Sequence, residues 1–396
     1  MKVDPLAQDS PLIVALVEGA AFRRMQLVQG LRNRNAADDL CDSAEHLCAL
    51  MNHCFWASIH LEEGRSVRGA LCVCAFDEAP RSRAFAKPLL CSVTNIVTLL
   101  TASPGTPLAI QLSATGLEIW GVLDATPMFT LRIRIAGAGT VIASEGRNVI
   151  ALLERGEAHT PKSAGAIDWI LLVANALDKA KSFPERMKIA ALLQRVVVAM
   201  HRQGHGGALV VVPTSNDTWS NSVSLAFRFD NAASAAIQGL LAELDAAEKR
   251  RDELRTGATP EVPQTLLPLF AESVNAHRDL LDTLLRSIGD LSAVDGAVVV
   301  AENFSVLGFG AKLQGDAGDF DVLVLDVLNG ELSTISHAEL GGTRHQSAAR
   351  FVNQHHEAMV FVASQDGRLT LFVWVIDQAR VAAVRRLEHF VWDCDC

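Results

Sequence analysis

The apolar runs of this chain are short, Val-rich and closed off by turn residues, and that pattern limits what it can fold into. Asp295-Gly296-Ala297-Val298-Val299-Val300 and Gly206-Gly207-Ala208-Leu209-Val210-Val211-Val212-Pro213 set β-branched residues in unbroken rows. Such rows suit strands buried on both faces of a sheet. No window reaches the roughly 18 uninterrupted apolar residues needed to span a bilayer. Pro11-Leu12-Ile13-Val14-Ala15-Leu16-Val17 is interrupted at once by Glu18, and Met1-Lys2-Val3-Asp4-Pro5 lacks a basic region leading into a long apolar stretch. The expectation is a soluble, cytoplasmic chain with no signal peptide and no membrane partner.

A chain of 396 residues is too long for one compact core. Its hydrophobic fraction of 49% against 20% charged residues is enough to bury sizeable cores, which excludes a disordered chain. The formal net charge of −10 argues against broad binding to DNA, RNA or anionic lipid, while leaving room for a local basic pocket. The eight cysteines are dispersed and none forms a Cys-x-x-Cys pair. Cys72 and Cys74 lie two apart on a strand-like run, so they share a face. Small buried thiols in a reducing compartment are expected, with Cys394 and Cys396 in a frayed tail.

Residues 11–55 read as helical, with Leu40, Leu47, Leu50, Met51 and Phe55 near helical spacing. Strands are expected at 69–76 and near 108–112, 117–123, 129–135 and 140–144, separated by turn signals such as Ser103-Pro104-Gly105 and Gly137-Ala138-Gly139. Together they predict an α+β unit with an antiparallel sheet. Residues 156–165 read as a connector. Ile167–Gln203 reads as helix broken near Ser182-Phe183-Pro184, followed by strands at 206–213 and 223–229 and a helix over Ala232–Arg255. Gly257–Pro263 reads as a linker, and Leu266–Ile288 as a further helix. The last third predicts strands at 295–302, 305–313, 321–326, 358–364 and 369–376, a helix over 346–356 and a closing helix over Val381–Val391. The fold class is α/β and α+β: a C-terminal mixed β-sheet wrapped by helices, preceded by an N-terminal α+β domain. The divisions are 1–155, 156–262 (a central region that can join the C-terminal unit) and 263–396.

Between strands, Gly341-Gly342-Thr343-Arg344-His345-Gln346 places two glycines ahead of a hydroxyl, a guanidinium and an imidazole. The glycines allow close backbone approach and the three side chains suit a phosphate cradle. His201 and His205 sit four apart like a helical metal pair, but Gly204 and Gly206-Gly207 end the helix and no third ligand is evident. Trp120 reads as core, Glu62-Glu63-Gly64-Arg65 as a solvated hairpin turn, and His355-His356 as a helix terminus. No Walker-type loop, dinucleotide fingerprint or Gly-x-Ser-x-Gly elbow is present.

The C-terminal third resembles the diadenylate cyclase (DAC) domain. Three segments carry the resemblance in order: Asp295-Gly296-Ala297, Gly342-Thr343-Arg344-His345 and the strand ending at Ser364. Leu307-Gly308-Phe309-Gly310-Ala311, Ser364-Gln365-Asp366-Gly367, Ser58-Ile59-His60-Leu61-Glu62-Glu63-Gly64-Arg65, Ile119-Trp120-Gly121 and His205-Gly206-Gly207 look like the divergent branch called DACNV. That branch is described as a sensor of nucleotides in bacterial signalling and conflict systems, and the resemblance would extend over most of the chain. It implies a nucleotide site built from Asp295, Gly296, Ala297, Gly342, Thr343, Arg344, His345 and Ser364. Asp295 would meet the ribose hydroxyl or a metal, and would be catalytic in an active enzyme. Asp295 with Asp366 would hold Mg²⁺ or Mn²⁺ brought with ATP.

Two departures from the family pattern bear on activity. Gln346 replaces the second arginine after Thr-Arg-His, and Gln365 replaces the first glutamate after the serine. Each lost charge contact would cost a cyclase on the order of 2–4 kcal/mol of transition-state stabilisation. The expectation is therefore a sensor of adenine nucleotide or cyclic dinucleotide. The alternative is a metal-dependent diadenylate cyclase making cyclic di-AMP from two ATP. A nucleotide is the expected partner, and a homo-oligomer is compatible with the resemblance.

Overall fold

The computed structural model of the chain describes residues 44–160, 169–256 and 267–390, apart from 63, 80, 104, 115, 127–129, 146–147, 316–317 and 328–329. The expected helix before residue 44, the linker at 257–263, the connector at 161–165, and Cys41, Cys394 and Cys396 lie outside the described residues. Those described form two compact units, 44–160 and 169–390, with Gly330 grouped with the first.

In the first unit, α1 (Ala44–Ile59) is followed by the short hairpin β1 (Leu61–Glu62) and β2 (Arg65–Ser66), which turns through Gly64 at φ +77°. Next come β3 (Gly69–Val73), β4 (Ser82–Leu90), α2 (Val93–Ala102), β5 (Leu108–Ser113), β6 (Gly116–Leu123), β7 (Leu131–Gly137), β8 (Thr140–Glu145), β9 (Asn148–Glu154) and β10 (Glu157–His159). The sheet order is β10-β9-β8-β7-β3-β5-β6-β4. It is mixed, which corrects the antiparallel expectation. The chain between β3 and β5 contains α2, and a helical crossover returns the next strand parallel to the first. Leu47, Leu50, Met51 and Cys54 of α1, with Ile96, Val97 and Leu100 of α2, bury one face of the sheet over Leu71, Ile110, Ile119 and Ile133. On the other face Trp120 packs with Cys72, Cys74 and Ala109, and its Nε1 donates to the Cys74 carbonyl at 2.8 Å. Trp120 is a core residue.

The second unit contains α3 (Trp169–Ala176), α4 (Phe183–Gln203), β11 (Gly207–Val212), β12 (Val223–Ser224), β13 (Phe227–Arg228), α5 (Asn231–Thr256) and α6 (Leu267–Asp290). Then follow β14 (Ala297–Ala301), β15 (Val306–Leu313), β16 (Asp321–Asp326), β17 (Leu332–Ser336), α7 (Thr343–Gln354), β18 (Met359–Ala363), β19 (Leu369–Val375) and β20 (Arg380–Arg385). Ser182 caps α4, and Gly204 closes it in the left-handed conformation. The ten-stranded sheet runs β12-β15-β14-β11-β18-β19-β20-β16-β17, with β13 also on β15. It is mixed: β11–β14 and β16–β20 pair parallel. Side chains alternate between its faces. Val210, Val299, Val360, Phe372 and Ala383 pack under Ala348, Phe351 and Val352 of α7. On the opposite face Phe361 meets Trp169 of α3 edge-on, centroids 6.3 Å apart.

The closing helix expected over Val381–Val391 is instead β20 followed by a short 3-10 turn at Leu387–His389. Val381, Ala382, Ala383 and Val384 are all buried, because β20 lies inside the sheet between β19 and β16. A strand buried on both faces loses the alternation that marks it in sequence. The helix expected over 346–356 starts earlier, at Thr343. Strand β10 falls inside the expected connector, and β4, β9 and β17 had no counterpart among the expectations.

Candidate functional site

The amino end of α7 opens on a cavity of about 700 Å³ within the second unit. The local sequence makes that opening. Ser336 Oγ accepts from Ala338 N and starts a short turn. Leu340 is buried and Gly341 adopts φ +99°, a conformation that favours glycine. Gly342 then occupies the N-cap position with no side chain to cap the helix. The Thr343 and Arg344 amides are thus left without an intrahelical acceptor at the positive end of the helix dipole, while His345 N donates to Gly342 O at 3.0 Å. Gln346 Nε2 donates to Ala338 O at 3.0 Å and Gly341 O at 3.1 Å. Gln346 thus ties down the glycine loop.

Gly342, Thr343, Arg344 and His345 line one side of the cavity, and Ser364, Gln365 and Asp366 line another. The latter three sit in a tight turn after β18, where Ser364 N donates to Arg368 O at 2.8 Å and Gly367 takes φ +82°. Asp366 is therefore not on a strand, where it would point away. Its carboxyl is held below the usual range, first by the Ser364 hydroxyl, which donates to it, with Arg368 3.3 Å away contributing. His201 Nε2 lies 2.8 Å from the Gly367 carbonyl oxygen, so this histidine fastens the turn from α4. His345 is half-buried and meets Phe372 edge-on. Burial lowers its pKa, Arg385 lowers it further and Asp366 opposes them.

The remaining expected residues lie apart from the cavity wall. Asp295 is 94% exposed at its side chain and accepts from Arg344 Nη2 at 3.2 Å. Gly296 adopts φ +112°, and a Cβ there would lie 2.6 Å from Gly310 C, so the β14–β15 backbone itself requires glycine. Ala297 is buried in the sheet, opposite Ala208 and Ala311. Among the described residues no group of three or more His, Cys, Asp or Glu side chains is arranged to hold a metal ion. Asp295 and Asp366, the carboxylates expected for one, are each engaged by an arginine.

Several wall residues went unrecognised in the sequence: Asp326, Arg368, Thr370, Arg385 and Arg386. Asp326 pairs with Arg385 across β16 and β20, and Thr370 with Val362 across β19 and β18. These residues lie where the sheet emerges from under α7, at the carboxyl ends of β16, β18 and β20. Ligands of α/β sheets commonly bind there. The available signal was basic residues directly after apolar strands, Arg385-Arg386 after Val381–Val384 and Arg368 after the Ser364–Gly367 turn. Reading 381–391 as a helix concealed the first.

Residues 37–124 match the family model described as "Probable sensor domain DACNV". The described part of that stretch belongs to the first unit, so the cavity at α7 lies outside the matched residues. The match points to a sensor role. No curated protein matches the chain.

Proposed function

We propose that the chain is a nucleotide sensor whose second unit binds an adenine nucleotide or a cyclic dinucleotide at the amino end of α7, in bacterial signalling or defence. The observation that carries this reading is the convergence of Gly342-Thr343-Arg344-His345 and Ser364-Gln365-Asp366 on one cavity with four arginines in its wall. Its volume of about 700 Å³ suits a small-molecule ligand. Uncapped amides and guanidinium forks are a fitting donor set for phosphate. The sensor-family match over 37–124 supports a sensing role in the same chain. Gln346 and Gln365 favour binding over turnover, because both lack the charge that a nucleotidyl-transfer transition state requires.

The test is calorimetric titration of the full chain with ATP and with cyclic di-AMP, each with Mg²⁺ or Mn²⁺ present. Binding that is lost in Arg344→Ala supports the proposal, and absence of binding by both nucleotides overturns it. Cyclic dinucleotide formed from ATP and detected by mass spectrometry would replace the sensor reading with a cyclase.

A further inference from the structure

We infer that the cavity contains a second anion subsite at Arg385, and that its ligand carries two phosphate groups rather than one. This inference rests on the nucleotide reading and specifies the ligand class. Three of the four arginines in the wall have a carboxylate partner: Arg344 with Asp295 at 3.2 Å, Arg368 with Asp366 at 3.3 Å and Arg386 with Asp326 at 3.8 Å. Arg385 has none. Among the described residues its guanidinium makes no hydrogen bond and no ion pair, although it is half-buried. Asp326 acts on it from beyond ion-pairing distance, while Arg368 adds like charge. The other acid in the wall, Glu339, is exposed and makes no ion pair with it.

The sheet fixes this position. Val381 and Ala383 of β20 lie in the core under α7. Arg385, two residues on along the same face, emerges where the helix begins. Its register partner is Asp326, but Arg386 reaches that carboxylate from a left-handed backbone at φ +66°. A non-glycine residue rarely adopts that conformation. The local geometry therefore occupies Asp326 with Arg386 and leaves Arg385 to an incoming anion. A partly buried guanidinium without counter-charge is unfavourable until such an anion arrives, and its fork then holds phosphate oxygens in pairs. One phosphate group would sit on the uncapped first turn of α7, and the other on Arg385, which is near enough to His345 to act on its charge.

The experiment titrates the full chain with AMP, ADP, ATP, cyclic di-AMP, inorganic phosphate and inorganic pyrophosphate, for the wild type, Arg385→Gln and Arg385→Lys. Each variant's melting curve is recorded to establish that it folds. In the wild type, the second phosphate is expected to tighten binding about ten- to a hundredfold, the increment of one charge-assisted contact. In Arg385→Gln this gain shrinks to under about threefold while AMP affinity holds, and Arg385→Lys falls between. Equal weakening of AMP and ADP, or an undiminished gain in Arg385→Gln, overturns the subsite. Pyrophosphate binding that depends on Arg385 without any nucleotide binding upholds the subsite and defeats the nucleotide reading. Absence of binding by every probe overturns both.

Discussion

The Arg344 guanidinium donates to the Asp295 carboxylate at 3.2 Å, joining the first turn of α7 to the turn ahead of β14. Asp295 is almost fully exposed, so the pair adds little to stability, and its effect is to hold the guanidinium to one side of the cavity mouth. Asp295→Asn should change the unfolding free energy by less than about 1 kcal/mol. It should also tighten pyrophosphate binding, because a competing negative charge is removed. Denaturant melts and calorimetry check the two effects, and weaker binding would instead show that Asp295 contacts the ligand.

Gln346→Ala removes both bonds to the loop carbonyls, at Ala338 and Gly341. Both bonds are exposed and together worth about 1 kcal/mol, so the melting temperature of the second unit should fall by a few degrees. Nucleotide affinity should fall with it, since the backbone at Gly341-Gly342 is no longer tied to α7. A variant with unchanged melting and unchanged affinity would remove Gln346 from the site.

His345 gives the cavity a pH dependence. Burial and Arg385 lower its pKa from 6.5, so the folded apo protein keeps it neutral where the unfolded chain would already be charged. Its contribution to stability is complete above pH 6.5 and is lost as pH falls from there through the lowered folded value. A bound phosphate raises the pKa again, so binding takes up a proton and ligand affinity should rise as pH falls below about 7. Comparing wild type with His345→Gln across pH 5–8 isolates this effect from the phosphate's own titration. Equal slopes for the two proteins would contradict it.

Thiol reactivity follows burial in the first unit. Burial raises the Cys54 thiol well above its ordinary value, with Cys91 adding to the effect. It also raises Cys91 to about 12 and Cys72 to about 11. These three should resist alkylation at pH 8 in the folded protein and react once denaturant unfolds the unit, as peptide mapping by mass spectrometry can follow. Rapid native labelling of Cys54 would contradict the packing around α1.

How much of this was legible in the sequence differs from element to element. The runs at 108–113 and 131–137 alternate or punctuate clearly, and the structure has strands there. The spacing of Leu47, Leu50, Met51 and Phe55 reads as one helical stripe, and in the structure they pack in one core, Phe55 at its margin. Strand β4 was missed because it is an edge strand with mostly exposed residues, and it bulges between Ala84 and Leu89. Strand β20 was missed for the opposite reason, being apolar on both faces. The phosphate-cradle motif was legible because Gly341 and Gly342 precede three functional side chains. Arg385 was not, because its role depends on which strands flank β20, and only the tertiary register brings Asp326 beside it.

Two glycines near the site should behave differently when substituted. Gly296→Ala forces a side chain against Gly310 and Ala311 backbone atoms, the nearest at 2.6 Å, from a backbone at φ +112°. Strain and overpacking together should cost about 3 kcal/mol or more, so binding should be lost along with the fold of the second unit. At Gly206, φ is +71°, and an added Cβ would meet Gln365 Cγ at 3.1 Å, Gln365 N at 3.2 Å and Arg344 Nη1 at 3.3 Å, the last the end of a flexible side chain. Gly206→Ala should therefore cost about 1–2 kcal/mol of backbone strain and keep the fold. The displaced Arg344 should lower pyrophosphate affinity by more than the melting temperature suggests. Circular-dichroism melts with calorimetry on both variants separate the cases: a folded Gly206→Ala protein that binds as tightly as wild type would show that Arg344 does not reach the ligand from its observed position.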